Sequence, residues 1–256
     1  MKKELLELKY FLDEEAERYE HPQFITEDPI SIPHRFSLKQ DVEIAAFFAA
    51  SLAWGNRKSI IKSANGIMER MDEKPFEFIL NHSKKDLKVL DGVVHRTFNA
   101  EDCKFFCSAL QHIYKQSESL ENAFTSHYDG QDIRTAIMSF RAHFFNIKYP
   151  ERSAKHVSNP ISGSSSKRLN MFLRWMVRSN AKQVDFGLWT KLNPSVLAMP
   201  LDVHTGNVAR ELKLLTRKQN DWTALEELMS VLRKMDAQDP VKYDFALFSI
   251  GVNAKK

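Results

Sequence analysis

The sequence predicts an all-α fold, and three observations predict it. Apolar residues recur every three to four positions through most of the chain, the spacing of one helix face. No stretch alternates apolar and polar residues with the period of a half-buried strand. With only 8 Gly and 9 Pro in 256 residues, the chain also lacks the turn density of a β protein.

The elements follow in order. Leu5, Leu8, Phe11, Leu12 and Ala16 place an amphipathic helix over 2–20, ending before His21-Pro22. Pro22, Pro29 and Pro33 then impose loop or extended backbone. Asp41 is placed to cap a helix through Ile44–Trp54, which is apolar nearly all round, as a helix at a domain centre is. Gly55-Asn56 breaks it, and Arg57 to Met71 forms the next. Short helices over 74–91 present Lys84, Lys85 and Lys88 to solvent. Helices follow at 100–116, 118–128 and 131–147, the last burying Ile133, Ile137, Phe140, Phe144 and Phe145. Residues 149–166, with two prolines, one glycine and six serines among them, read as a linker or functional loop. From 167 a helix buries Leu169, Phe172, Leu173, Met176 and Val177, with Arg174, Arg178 and Lys182 along another stripe. A short helix or two spans 186–197, with Trp189 inward. Helices at 203–214, 221–235 and 239–250 close the chain, Asp221 and Asp239 standing as caps. The organisation expected is an N-terminal segment 1–39 and two helical lobes, 40–150 and 151–256, separate or continuous.

Composition narrows the function classes. At 43% hydrophobic and 27% charged residues the chain has an ordinary soluble composition. The longest apolar run, eleven residues ending at Trp54, is too short for a bilayer, and the charged start is unlike a signal peptide. The expectation is a cytoplasmic monomer with no membrane partner. Cys103 and Cys107, one helical turn apart, read as buried small side chains and are too few for a structural zinc site. No cofactor is expected, and no metal, since Asp202 and His204 lack a third clustered ligand. Charge is uneven: residues 151–220 hold twelve Lys and Arg against four Asp and Glu, a local +8 in a chain of net +4. A basic segment on a slightly acidic body suits a polyanion such as DNA or RNA, or else a solvated face.

Two stretches carry chemistry. Ser162-Gly163-Ser164-Ser165-Ser166-Lys167-Arg168 is a small-residue turn leading into a basic helix, and Pro200-Leu201-Asp202-Val203-His204 opens another. A lysine and an aspartate at successive helix starts can act as nucleophile and acid–base group. They can equally be a phosphate-binding lysine and an N-cap. His204 reads as a supporting hydrogen-bonder. Trp54-Gly55-Asn56-Arg57 ends an apolar helix in a tight turn, where an aromatic side chain unstacks a base step or fills the core. Phe144, Phe145, Trp175 and Trp189 either line a base pocket or fill the core.

These stretches resemble the helix-hairpin-helix DNA glycosylase superfamily, with its Gly-x-Gly-x-Lys hairpin and later Val-Asp-Thr-His element. Gly163 matches the first hairpin glycine, Ser165 stands in place of the second, and Lys167 matches the lysine of the bifunctional glycosylase–lyases. Asp202 and His204 fall on the aspartate and histidine of Leu201-Asp202-Val203-His204. The run from Ile44 to Ala53 resembles the superfamily's early helix, with Trp54 at the wedge position. The longer connection from Lys167 to Asp202 is similar to that of the archaeal oxoguanine glycosylases. A closer similarity is to a bacterial family of unassigned activity, through Ser166–Arg178, Pro200–His204 and Lys242-Tyr243-Asp244-Phe245-Ala246-Leu247-Phe248. The resemblance implies a two-lobed bundle with a cleft site and excision of a flipped modified base. Lys167 and Asp202 would be catalytic, with Trp54, Asn56, Arg57, Gly163, Ser165, Arg168, Arg174 and His204 on nucleic acid. A non-catalytic nucleic-acid-binding protein on this scaffold, and an all-α interaction protein, are the alternatives.

Overall fold

Polar residues at the helix starts punctuate the chain, each with extended backbone and a side-chain oxygen accepting amides that the first turn leaves unbonded. Asn56 caps α3 (Arg57–Arg70), Asn99 and Asp102 form a reciprocal capping box on α5 (Ala100–Tyr114), Ser119 caps α6 (Leu120–Thr125), Asp132 caps α7 (Ile133–Phe144) and Asp221 caps α10 (Trp222–Met235). The structure is a computed structural model and describes residues 3–253. The other helices are α1 (Lys3–Tyr19), α2 (Lys39–Leu52), α4 (Pro75–Asn81), α8 (Lys167–Val177), α9 (Val203–Glu211) and α11 (Tyr243–Asn253), joined by short 3-10 turns. The all-α expectation holds: the strands among the described residues are a two-residue antiparallel pair, β1 (Val94–His95) and β2 (Phe98–Asn99). No described helix is long and apolar enough to cross a membrane.

The chain forms two compact units. One takes residues up to 24 and from 159 onward, and the other takes 25–158. The segment set apart as 1–39 is thus divided, its helix α1 going with the C-terminal residues.

The 25–158 unit is built on α2, buried from Val42 to Leu52. Phe47 packs on Phe106, Phe140 and Phe144 with ring centroids 5.3–5.5 Å apart, offset or edge-on as aromatic quadrupoles prefer. The fully buried Glu43 is tolerated because its carboxylate accepts from the Tyr114 hydroxyl (2.7 Å), the Leu120 amide (3.0 Å) and the Ser119 hydroxyl. Asp41 is not the cap of α2. The helix begins two residues before it, and its carboxylate instead accepts the Phe76 amide at 2.8 Å, at the start of α4. Cys103 and Cys107 are both buried and free, and burial raises the Cys107 thiol well above its usual range.

In the other unit α1 packs on α11, and Phe24 meets Phe245 edge-on at 5.4 Å. Helix α8 buries Leu169, Phe172, Leu173, Trp175, Met176 and Val177. Residues 186–197 hold no α-helix. The amides of Phe186 and Trp189 bond to the carbonyls of Trp175 (2.8 Å) and Met176 (3.0 Å), so the chain runs back along the end of α8. Trp175 and Trp189, like Phe144 in the other unit, are core residues.

The stripe of Arg174 and Arg178 faces inward. Each is 4% exposed. Arg178 donates to Glu20 (2.8 Å), Asp185 (2.6 Å) and Asp239 (2.8 and 2.9 Å). Asp239 therefore caps nothing, because its carboxylate belongs to Arg178. Removing the guanidinium leaves three carboxylates facing one another with little access to water. Arg178→Ala is expected to lower stability by about 3–5 kcal/mol in urea denaturation. Lys182→Ala, which loses only a surface pair with Glu17, changes it by no more than about 0.5 kcal/mol.

Candidate functional site

The turn before α8 is built by small residues with distinct tasks. After a 3-10 turn at Pro160–Ser162, Gly163 takes a left-handed conformation (φ 86°) that a side chain would strain, and its carbonyl accepts the Trp222 amide at 2.9 Å. Ser164 bridges to Asp221 in antiparallel fashion. The hairpin is thereby fastened to the start of α10. The second left-handed residue is Ser166 (φ 49°), immediately before Lys167, and not Ser165. Ser165 is buried: its hydroxyl donates to the Leu201 carbonyl (3.2 Å), and its own carbonyl accepts from the Asn170 side chain (2.9 Å). Its side chain is corrected from a nucleic-acid contact to an internal one, since the hydroxyl ties the hairpin to residue 201 and the carbonyl holds Asn170. The element preceding the hairpin is a single 3-10 turn, which Pro160 opens at a position needing no amide and the left-handed Gly163 closes.

That Ser165–Leu201 bond sets Lys167 beside the start of α9. Lys167 Nζ lies 2.9 Å from Asp202 Oδ2, with side chains 32% and 28% exposed. Asp202 Oδ1 accepts the amides of His204 (2.8 Å) and Thr205 (2.9 Å). One carboxylate thus caps a helix with one oxygen and holds a lysine with the other. Burial opposes its ionisation, but the Lys167 ammonium and the capping amides outweigh burial and hold the carboxyl below its ordinary value of 3.8.

Residues invisible to a motif reading brace this geometry. Asn220 donates to the Asp202 carbonyl at 3.0 Å, and Arg210 donates to Asn220 Oδ1 (2.6 Å) and to the carbonyls of residues 217–219. Gly206 makes room for them: a Cβ there would lie 2.5 Å from Asn220 Oδ1 and 2.9 Å from Arg210 Nη1. Asp244, in the first turn of α11, is buried and ion-paired with Arg174. It also lies within electrostatic reach of Asp202 and Lys167. Its sequence signal was present in the Lys242–Phe248 stretch, but no spacing rule links that stretch to Arg174.

The remaining expected site residues separate into groups. His204 is exposed on the first turn of α9. Arg168 follows Lys167, and burial lowers its guanidinium to about 10, leaving it charged at neutral pH. Arg174 is corrected from a nucleic-acid contact to an internal ion-pair residue, because it is 4% exposed and holds Asp185 (3.3 Å) and Asp244. Trp54, Asn56 and Arg57 belong to the 25–158 unit. There Asn56 caps α3, accepting the Ser59 amide at 3.3 Å. Trp54 is half-buried beneath the Arg96 guanidinium, 4.8 Å from its ring, with His95 edge-on at 6.2 Å. Arg57 is half-buried at the first position of α3. No cluster of metal-ligating side chains occurs among the described residues.

Residues 28–253 match a family described as a protein of unknown function (DUF2400), and the chain belongs to that family. No curated protein and no solved structure matches it.

Asp202's two oxygens can be separated experimentally. Asp202→Ala removes cap and ion pair together and is expected to cost about 2 kcal/mol, whereas Asp202→Asn keeps a capping oxygen and costs about half that. Because the folded-state carboxyl is held low, its stabilisation is complete above its unfolded value and lost as the pH falls through the depressed folded value, below 3.8. Urea denaturation at a series of pH values should therefore find wild type and Asp202→Asn converging only in acid.

Proposed function

We propose that the chain is a DNA N-glycosylase with a lyase step, in which Lys167 is the nucleophile and Asp202 the acid–base group. The observation that carries the reading is the 2.9 Å contact between Lys167 Nζ and Asp202 Oδ2 at the mouth of a glycine-started hairpin. A lysine within hydrogen-bond reach of a carboxylate is what amine attack at a sugar carbon requires. The resemblance of these two stretches to the bifunctional glycosylases supports the same assignment.

The chemistry balances on this pair. Asp202 accepts a proton from the Lys167 ammonium, and the freed lone pair attacks C1′ of a nucleotide whose base is turned out of the stack. The C1′–N bond breaks, the base leaves with the bonding electrons, and the proton on Asp202 passes to it. Asp202 then takes a proton from the new C1′–Nζ adduct. Ring opening, with O4′ protonated, gives the iminium that a lyase step needs. Desolvation by bound substrate favours the first transfer, since it penalises the separated charges of the resting pair.

The environment is suited to such a ligand. The exposed apolar side chains of Ile161 and Val203, 70% and 63% accessible, directly flank the hairpin and the cap in sequence. Lys218 is exposed in the same unit and available to phosphate. The basic footprint is smaller than the sequence count, because Arg174 and Arg178 are neutralised internally.

Borohydride trapping tests this reading on duplexes carrying an abasic site or an oxidised purine. Wild type and the surface variant Lys213→Ala are expected to give a covalent adduct, Lys167→Ala none, and Asp202→Asn roughly 10²-fold less. Salt-sensitive binding without any adduct would replace the enzyme with a phosphate-binding module.

A further inference from the structure

A second cationic surface belongs to the 25–158 unit and centres on the turn of the β1–β2 hairpin. There Arg96 holds its guanidinium over the Trp54 ring, 4.8 Å from the centroid. The turn is fastened on both sides. His95 is buried, with Nδ1 3.0 Å from the Ser63 hydroxyl of α3, and Arg152 donates to the Thr97 carbonyl at 2.9 Å. Arg96, between them, is exposed.

Several local costs converge on this turn. Arg96 takes a left-handed backbone (φ 55°), which residues with a side chain adopt rarely. At Gly55 a Cβ would lie 2.8 Å from Arg96 Nη1, so the turn after α2 is shaped around that guanidinium. The Trp54 indole N–H is closed to water and has no acceptor among the described residues, so the side chain is kept for its ring and not for a hydrogen bond. Helix α3 opens with Arg57 and Lys58 and has no acid in its first turn, the reverse of what the peptide dipoles favour. Strain and adverse charge retained together at one exposed place are a mark of function.

The charges here are open. No carboxylate among the described residues pairs with Arg96, Lys58 or Lys62, and Asp91, close by in sequence, is taken by Lys104. Lys58 and Lys62 stand one turn apart on an exposed face of α3, which packs on β1. Val94, two residues before Arg96, is 66% exposed. Trp54 stands at the expected wedge position, but its ring lies beneath Arg96, so the planar group this surface presents is the guanidinium.

We propose that Arg96, backed by Trp54, is a stacking platform for an unpaired base of a nucleic-acid single strand, with Lys58 and Lys62 on the phosphates beside it. A guanidinium is flat and weakly hydrated, and unpaired bases stack on such planes as they do on aromatic rings. A carboxylate of an acidic protein would meet the edge of the fork, whereas the exposed face over the ring suits a base. The assignment does not depend on the chemistry of Lys167.

The test separates base from phosphate. Fluorescence anisotropy follows binding of two labelled strands of about twelve nucleotides, an oligothymidylate and a strand of the same length made only of abasic residues, over a series of salt concentrations. Arg96→Lys keeps the charge and loses the plane. It is expected to bind the oligothymidylate about tenfold more weakly and the abasic strand as wild type does. Lys58→Ala weakens both strands alike and lowers the slope of log affinity against log salt by about 0.7. Lys115→Ala, exposed at the end of α5 in the same unit, changes neither. All three positions are exposed, and circular dichroism checks that each variant folds. Wild-type affinity of Arg96→Lys for the oligothymidylate, equal losses on the two strands, or no binding of either strand by wild type at low salt would each overturn the proposal. The same Arg96→Lys effect in a Lys167→Ala background supports it whatever borohydride trapping shows.

Discussion

Arg178 gathers Glu20, Asp185 and Asp239 around one guanidinium that is nearly closed to water. A planar five-donor fork can satisfy several carboxylates at once only in a narrow range of orientations, so this contact fixes the rotation of α8 about its own axis. Because Arg174 and Lys167 share that face, the rotation that suits Arg178 also aims Lys167. The node joins the residue after α1, the 185 loop and the turn before α11 to a single helix. Its value lies in specificity of arrangement more than in net stabilisation, since the desolvation of so many charges offsets much of their attraction.

At the other end of α8 the constraint is backbone geometry. Gly163 and Ser166 both adopt left-handed conformations, and between them Ser165 bonds inward to residue 201. That bond brings a helix start carrying a lysine against a helix start carrying an aspartate. The lysine sits at the end of α8 where the peptide dipoles disfavour a cation, so it needs a neighbouring carboxylate to offset them. Asp202 meets that need without giving up its cap, because its two oxygens point to different partners. Asn220, Arg210 and the bare Cα of Gly206 hold the cap itself in place.

Much of this was legible in the amino-acid order, and the parts that were not share a cause. Helix existence followed from apolar spacing, and Asp221 and the Gly55-Asn56 break followed from local capping chemistry, which acts over a few residues. The pairing of Lys167 with a carboxylate 35 positions away was anticipated from two helix-start motifs. The internal partners of Arg174, expected on nucleic acid, and of Arg178 on the same stripe were not legible because they lie as much as 158 residues away and leave no periodic trace. Asp239 and Asp41 were read as caps for the same reason: an acid before a helix looks alike whether it meets an amide or a distant group. Of the one or two short helices read over 186–197, a 3-10 turn at Pro194–Val196 forms, while the amides of Phe186 and Trp189 are claimed by the end of α8. Ser165 was matched to a glycine position, whereas the left-handed turn falls one residue later.

A charged row that rotates one helix into register, so that its first residue meets a capping aspartate, is the account's central claim. A double-mutant cycle on Lys167→Met and Asp202→Asn, read by urea denaturation at neutral pH and low salt, tests it most directly. The account predicts a coupling of about 1 kcal/mol that falls in high salt, as for a partly buried ion pair. Additivity within about 0.3 kcal/mol would contradict it, because Lys167 and Asp202 would then not be held together in solution.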